Sequence, residues 1–183
     1  NLSDNCKTGG YFIGTCYDGM KVFQMLRDKP NHTLDMEDEF GNKVFSLQRK
    51  YEIEDFTYSD NGDNKSELFG QEIDVYMNSI GQTITEYLVN FQMFIEIMKE
   101  YNFALVNPKL GGKYSGIFDN VKFSYTKGLG GFDHLLKNLQ NLSSKDSDLK
   151  GHFKGALEML KKENHPLVEL SSLNNWFIFQ KKS

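Results

Sequence analysis

Apolar side chains recur along this chain in two rhythms, one of period two and one near 3.6, separated by polar and glycine-rich punctuation. Lys7-Thr-Gly-Gly-Tyr-Phe-Ile-Gly-Thr15 reads as a short apolar strand with Gly at each end. Asp18 is placed to cap a helix running to about Asp28, with Val22, Phe23, Met25 and Leu26 on its buried face, and Pro30 ends it. Phe40 to Tyr51 reads as a strand entered through the Gly41-Asn42 turn, its apolar surface carried by Val44, Phe45 and Leu47. Tyr58 to Lys65 is polar and predicts an exposed loop. Ile73 to Met77 is a further strand, expected to pair back across that loop as an antiparallel excursion from the main sheet.

The clearest local signal lies between Thr85 and Val106. Glu86-Tyr-Leu-Val89 is short and apolar, and Phe91, Phe94, Ile95, Ile97 and Met98 then follow at helical spacing up to Glu100. Tyr101-Asn102 closes that helix and Phe103-Ala-Leu-Val106 is a strand, so the step reads as the αβ half of a βαβ unit. Residues 108–131 are glycine-rich and ambiguous. Helices are predicted over Phe132 to Leu142 and Leu149 to Glu163, with Ser143 to Ser147 between them and Pro166 as the stop of the second. Trp176-Phe-Ile-Phe179 is a terminal strand, and the fold class is α/β with an antiparallel edge.

Composition narrows the functions available. With 39% hydrophobic and 14% aromatic residues in 183, the chain carries enough apolar surface for a packed core rather than a disordered tail. The net charge of −4 disfavours a general nucleic-acid coat, although it leaves room for a pocket that reads one nucleotide. No apolar run reaches the roughly 18 residues of a membrane span, and no basic start followed by an apolar stretch signals secretion. Two cysteines, Cys6 and Cys16, and four scattered histidines form neither a disulfide framework nor a zinc spacing, which points to a reducing compartment. The chain does not begin with Met, and a fragment or processed piece is therefore expected.

Most candidate sites have a plain structural reading. Gly128-Leu-Gly-Gly131 precedes a predicted helix, but it lacks the full G-x-G-x-x-G spacing and the acidic residue about 20 positions on, so an ordinary turn is favoured. Asp35, Glu37, Asp38 and Glu39 read as a solvated loop, and Asp133-His134 as a surface pair at a helix start. No Ser or Cys has the local context of a nucleophile. Glu86 stands at the entrance of an apolar strand, where strand ends of open α/β sheets form ligand crevices; a capping or salt-bridged glutamate is the alternative. Trp176, the single tryptophan, is open to a core or a pocket role.

Taken in order, Gly9-Gly-Tyr-Phe-Ile-Gly-Thr15, Phe40-Gly-Asn42, Leu68-Phe-Gly70, Glu86-Tyr-Leu-Val-Asn-Phe91 and Tyr101-Asn-Phe-Ala-Leu-Val106 resemble the C-terminal half of mRNA cap guanine-N7 methyltransferases. The resemblance is good from Lys7 to Val106, vague from Pro108 to Leu170, and returns at Trp176-Phe-Ile-Phe179. Where cellular members have Thr-x-Pro-Asn, this chain has Thr15-Cys-Tyr-Asp-Gly19, which looks like the capping enzymes of large cytoplasmic DNA viruses. The resemblance implies the C-terminal half of a Rossmann-like class I methyltransferase, a mixed sheet with an antiparallel excursion. The S-adenosylmethionine site would lie around an Asp-x-Gly-Cys-Gly strand end that this chain does not contain. Residues 1–183 are then expected to form the cap-binding side of the domain, inactive alone.

By the same resemblance, Glu86 faces the Watson–Crick edge of the cap guanine, whose adjacent N1–H and 2-amino donors suit an acceptor-only carboxylate. Tyr17 takes the place of the proline lining the cap pocket of cellular enzymes. Trp176 matches the aromatic of the last strand, unless a shift of two puts Asn174 there. The implied chemistry is methyl transfer to guanine N7, a lone-pair nucleophile that needs no general base. The implied partners are the capped mRNA 5′ end, the N-terminal remainder of the methyltransferase, and guanylyltransferase and triphosphatase domains, with room for a stimulatory subunit and no membrane. The implied location is the cytoplasm, in a viral factory or virion. The alternative is a noncatalytic methyltransferase-like subunit that stimulates a catalytic capping partner; an upstream Asp-x-Gly-x-Gly strand end would decide for the enzyme.

Overall fold

The computed structural model describes residues 2–59, 61–106, 128–144, 147–162 and 165–183. The chain divides into two compact units, one of Tyr17–Phe94 and Asn164–Leu173, the other of Asn1–Cys16, Ile95–Glu163 and Asn174–Ser183. A short helix α1 (Leu2–Asn5) precedes strand β1 (Tyr11–Tyr17), and helix α2 (Gly19–Arg27) follows at once. Asp18 caps α2 as its sequence predicts, its carboxylate accepting from the N–H groups of Met20 and Lys21 at 3.1 and 3.3 Å. Val22, Phe23 and Leu26 are buried, while Met25 stays partly exposed. Pro30 does lie beyond the helix end, where it opens a single 3₁₀ turn, Pro30–His32.

The first unit is built on four antiparallel strands in the order β2 (Thr33–Glu37), β3 (Lys43–Arg49), β4 (Glu72–Met77), β5 (Gln82–Tyr87). A short helix α3 (Lys65–Leu68) follows the polar loop predicted before it. Strand β2 corrects the reading of Asp35 and Glu37 as loop residues: Leu34 and Met36 alternate with them and pair with Leu47 and Phe45 of β3. The acidic residues belong to the hairpin. Asp35 pairs with Lys43 at 2.7 Å, and Asp38 accepts the N–H groups of Phe40 and Asn42, each at 2.9 Å. One face of this sheet collects Leu34, Phe45, Leu47, Ile73 and Val75, all buried. Helix α2 packs on β2 and β3, and Tyr51 and Phe56 stack on Phe23 with ring centroids at 5.2 and 5.6 Å.

Helix α4 (Phe91–Glu100) has the predicted bounds, and Asn102 turns the chain with φ of 60°. The second unit then pairs strand β6 (Phe103–Leu105) antiparallel with the last strand, β8 (Asn174–Lys181). The helix-then-strand step exists, but it feeds an antiparallel ladder instead of the parallel one expected of a βαβ unit. Strand β7 (Leu129–Gly131) pairs with β8 beyond β6, and β1 lies against the other edge of β8. Phe103, Phe177 and Phe179 form the buried centre of this unit.

Three further expectations change. Gly128 to Gly131 is not a turn: Leu129–Gly131 is a strand that runs straight into α5 (Phe132–Ser143). The predicted helix from Leu149 is two short ones, α6 (Ser147–His152) and α7 (Lys154–Met159), in a sequence weakened by Gly151 and Gly155. Pro166 does not stop a helix but starts α8 (Pro166–Ser172), because the first helical turn needs no N–H from it. The ambiguous glycine-rich stretch lies outside the described residues as far as position 127. Among the described residues no helix is long and apolar enough to cross a membrane.

Candidate functional site

Glu86 does not begin an apolar strand at 86–89; it sits one residue before the end of β5. Five of the six residues of β5 are exposed, and Glu86 is the exception. Register explains this. Glu86 lies directly opposite Ile73, so the two side chains share the apolar face of the sheet. The opposite face carries Asp74, which accepts from Thr85 Oγ1 at 3.0 Å and pairs with Lys50 at 3.4 Å. Asp74 thus has its partners on the solvent side, whereas Glu86 is a carboxylate on the core side.

Burial pushes the Glu86 carboxyl above its ordinary pKa. Among the described residues its side chain has no hydrogen-bond or ion-pair partner. A half-buried carboxylate without a partner is costly, so the position is one where an external donor is favoured.

Tyr17 is the neighbour that burial supplies. It ends β1 at 9% exposure, and its hydroxyl pKa is raised to about 12, first by burial and then by the negative charge of Glu86. The phenol therefore stays neutral across the physiological range. Two contacts fix it near the β5 end. Asp18 forms an isolated parallel bridge with Val89, and the Gly19 N–H donates to Val89 O at 3.0 Å. Only a glycine fits there: a Cβ at position 19 would lie 2.7 Å from Val89 O and 2.8 Å from Phe56 Cε1. Asn90 anchors the other side, donating to Phe56 O at 2.6 Å and accepting from Met93 N at 3.1 Å. Gly19 and Asn90 were missed as positioning residues by the sequence reading. An Asn directly before the Phe91 helix was the available signal for the second.

Trp176 belongs to the other unit. On β8, Asn174, Trp176 and Ile178 are half-buried while Asn175, Phe177 and Phe179 face the core. Trp176 and Asn174 share a face, as strand alternation requires. The indole lies over Gly130 of β7, where a Cβ would meet Trp176 Cζ2 at 2.8 Å. Leu129–Gly131 is thus paired with β8 and covered by the indole, not the open strand-to-helix turn of a phosphate-binding loop. The glycine is there for the tryptophan.

Among the described residues no three His, Cys, Asp or Glu side chains gather into a metal site. Asp133 and His134 form the surface pair expected, at 3.4 Å. What the site offers is a carboxylate able to accept two parallel hydrogen bonds, and a neutral phenol near enough to feel its charge.

A family model described as the mRNA (guanine-N(7))-methyltransferase domain matches residues 1–161, a span that includes Tyr17 and Glu86 and stops before Trp176. An mRNA cap guanine-N(7) methyltransferase of Cryptococcus neoformans is 28% identical over 109 residues, 60% of this chain and 16% of the relative. The protein of the same description from Candida glabrata is 29% identical over 108 residues, 58% of this chain and 24% of the relative. The matched part is well under two thirds of either relative.

Proposed function

The chain belongs to the mRNA (guanine-N(7))-methyltransferase domain family, and from that premise we propose that it forms the cap-guanine side of a cap methyltransferase. In this reading Glu86 accepts the guanine N1–H and 2-amino donors, and Tyr17 packs beside the base. The observation that carries it is the half-buried Glu86 carboxylate, which has no partner among the described residues and shares its face with Ile73. Guanine supplies two adjacent donors to a group that otherwise goes unsatisfied. The donor would supply a sulfonium methyl, which the N7 lone pair would take as the S–CH3 bond breaks and the neutral thioether leaves, so the residues of this chain would act by aligning the base rather than as an acid–base pair.

S-adenosylmethionine is the methyl donor in this reading, and residues outside this chain would hold it. The glycine-rich junction at 128–131 is a strand paired with β8 rather than a phosphate-binding turn, which gives no ground for placing the cofactor there. Strand β1 has a strand neighbour on one side among the described residues, and Ile13 on it is 67% exposed. Both facts favour an upstream methyltransferase half with a Rossmann-like sheet packing there. The Thr15-Cys-Tyr-Asp-Gly19 segment is the ground for placing the protein among viral capping enzymes working in the cytoplasm, beside guanylyltransferase and triphosphatase domains.

Calorimetric titration of the chain with GpppG tests the guanine site. Hydrogen bonds to charged groups contribute roughly 1.5–3 kcal/mol each, and the half-exposed Glu86 puts its share near one such bond. Glu86→Ala is therefore expected to weaken GpppG binding about 10- to 100-fold. Equal affinity in the variant would reduce Glu86 to a structural residue. The same chain titrated with S-adenosylmethionine should show no saturable binding, and a micromolar affinity would overturn the assignment of the donor site to residues outside it.

A further inference from the structure

Helices α5, α6 and α7 border a cleft of about 710 Å³. Among the described residues Lys150, Lys154 and Lys161 line it against one acidic side chain, Glu158, so the described lining is basic. All three lysines are exposed, and among the described residues none of their ammonium groups makes an ion pair. Such a balance runs against the chain's net charge of −4. Leu157 adds an apolar wall.

Ser143, at the end of α5, is the second and independent observation. It lines the cleft at 3% exposure, and among the described residues its Oγ has no hydrogen-bond partner. The adjacent serine shows what the position ordinarily does: Ser144 Oγ donates back to Asn141 O at 2.7 Å. Ser143 makes no such bond among the described residues, and it lines the same cleft as the three lysines. Lysines and a hydroxyl donor lining one cleft select an anion with several acceptor oxygens.

We propose that this cleft binds the phosphate backbone of single-stranded RNA, the lysines on successive phosphates and Ser143 Oγ donating to a phosphate oxygen. The cleft is too large for one phosphate, and a basic groove with apolar wall is the general form of sequence-tolerant single-strand binding. The inference rests on the reading of the protein as a cap methyltransferase, whose substrate carries an RNA chain behind the cap. It gives that chain a second hold, distinct from Glu86.

The test is fluorescence anisotropy of an end-labelled, uncapped single-stranded RNA of about 12 nucleotides with the 183-residue chain. Each phosphate contact to a single strand contributes a slope of about −0.7 in log K against log salt, so three give about −2. Between about 50 and 200 mM salt this share of the binding falls about 20-fold. Replacing Lys150, Lys154 and Lys161 together by Gln is expected to flatten the slope by about 2 and to weaken binding at low salt at least about tenfold. Should the triple variant not fold, each single variant is expected to flatten the slope by about 0.7. Ser143→Ala is expected to weaken RNA binding several-fold while leaving the melting temperature unchanged or raised.

Equal affinity and slope in the lysine variants, or no RNA binding by the wild-type chain, overturns the proposal. Displacement of the RNA by inorganic phosphate at equal phosphate concentration would make the cleft a small-anion site instead, and tighter binding to phosphatidylserine vesicles would make it a membrane contact. Because the RNA is uncapped, its result is independent of the GpppG titration, so either reading can fail alone.

Discussion

Gly19→Ala perturbs the proposed site at the point where two chain segments touch. The added methyl would lie 2.7 Å from Val89 O and 2.8 Å from Val89 N, about 0.7 Å inside the 3.4 Å at which ordinary Cβ contacts begin. Both atoms are backbone, so no rotamer change relieves the clash; the segments must separate. The Gly19 N–H to Val89 O bond, now 3.0 Å, would stretch past hydrogen-bonding range. Losing it costs about 1 kcal/mol and overpacking about 1–3 more, against a gain of about 1 kcal/mol in helix propensity. The net is roughly 1–3 kcal/mol of destabilisation, about 3–10 °C in melting temperature for a chain of this size. GpppG affinity should fall with it, because the same separation draws Tyr17 away from Glu86. Gly155→Ala is the control: it is helical with nothing within 4 Å, and should be neutral or stabilising. A Gly19→Ala variant that melts at or above the wild-type temperature refutes the close approach and the account of how the site is assembled.

The remaining predictions concern Glu86 and Trp176. Burial raises the folded pKa of Glu86, so its ionisation subtracts stability above the unfolded carboxyl pKa and subtracts none below it. Glu86→Gln should therefore gain stability relative to wild type as the pH rises from about 4 to about 7, read by denaturant melts at both ends; a difference that does not change with pH would contradict the burial of that carboxyl. Trp176→Ala should lower the melting temperature by several degrees, since truncating a large aromatic costs about 3–5 kcal/mol when fully buried and this one is half-buried against Gly130. If instead the melt is unchanged and GpppG affinity falls, the indole belongs to the cap site.

Local rules made much of the fold legible. Asp18 at a helix start and the apolar spacing of Phe91 to Glu100 fixed α2 and α4 nearly to the residue. The failures came where one residue type serves two ends. Pro166 fits a helix stop and a first turn equally well by sequence, and His165 settles it by capping the Leu167 N–H at 3.2 Å. In Thr33-Leu-Asp-Met-Glu37 the acidic residues concealed an alternation of period two that was there to be read. The glycines at 128–131 read as punctuation because the residue that needs Gly130, Trp176, lies far along the chain. Glu86 is a candidate from its place near a strand end, but Tyr17 and the pairing of the two come only by family resemblance, since the Asp18–Val89 bridge that draws them together spans a separation no local pattern records.

The segment Glu86-Tyr-Leu-Val-Asn-Phe91 shows why resemblance and hydrogen-bond accounting are both needed. It places two polar side chains, Glu86 and Asn90, among apolar ones. Asn90 is the more buried of the two, which would ordinarily recommend it. Its amide is spent: the nitrogen donates to Phe56 O and the oxygen accepts from Met93 N, closing the start of α4. Glu86 has a carboxylate on the same apolar side as Ile73 and no partner for it among the described residues. A satisfied buried amide stabilises the fold and has little left to offer a ligand; an unsatisfied half-buried carboxylate destabilises the free protein and gains when a donor arrives. The difference in satisfaction, not in burial, assigns scaffold to Asn90 and recognition to Glu86.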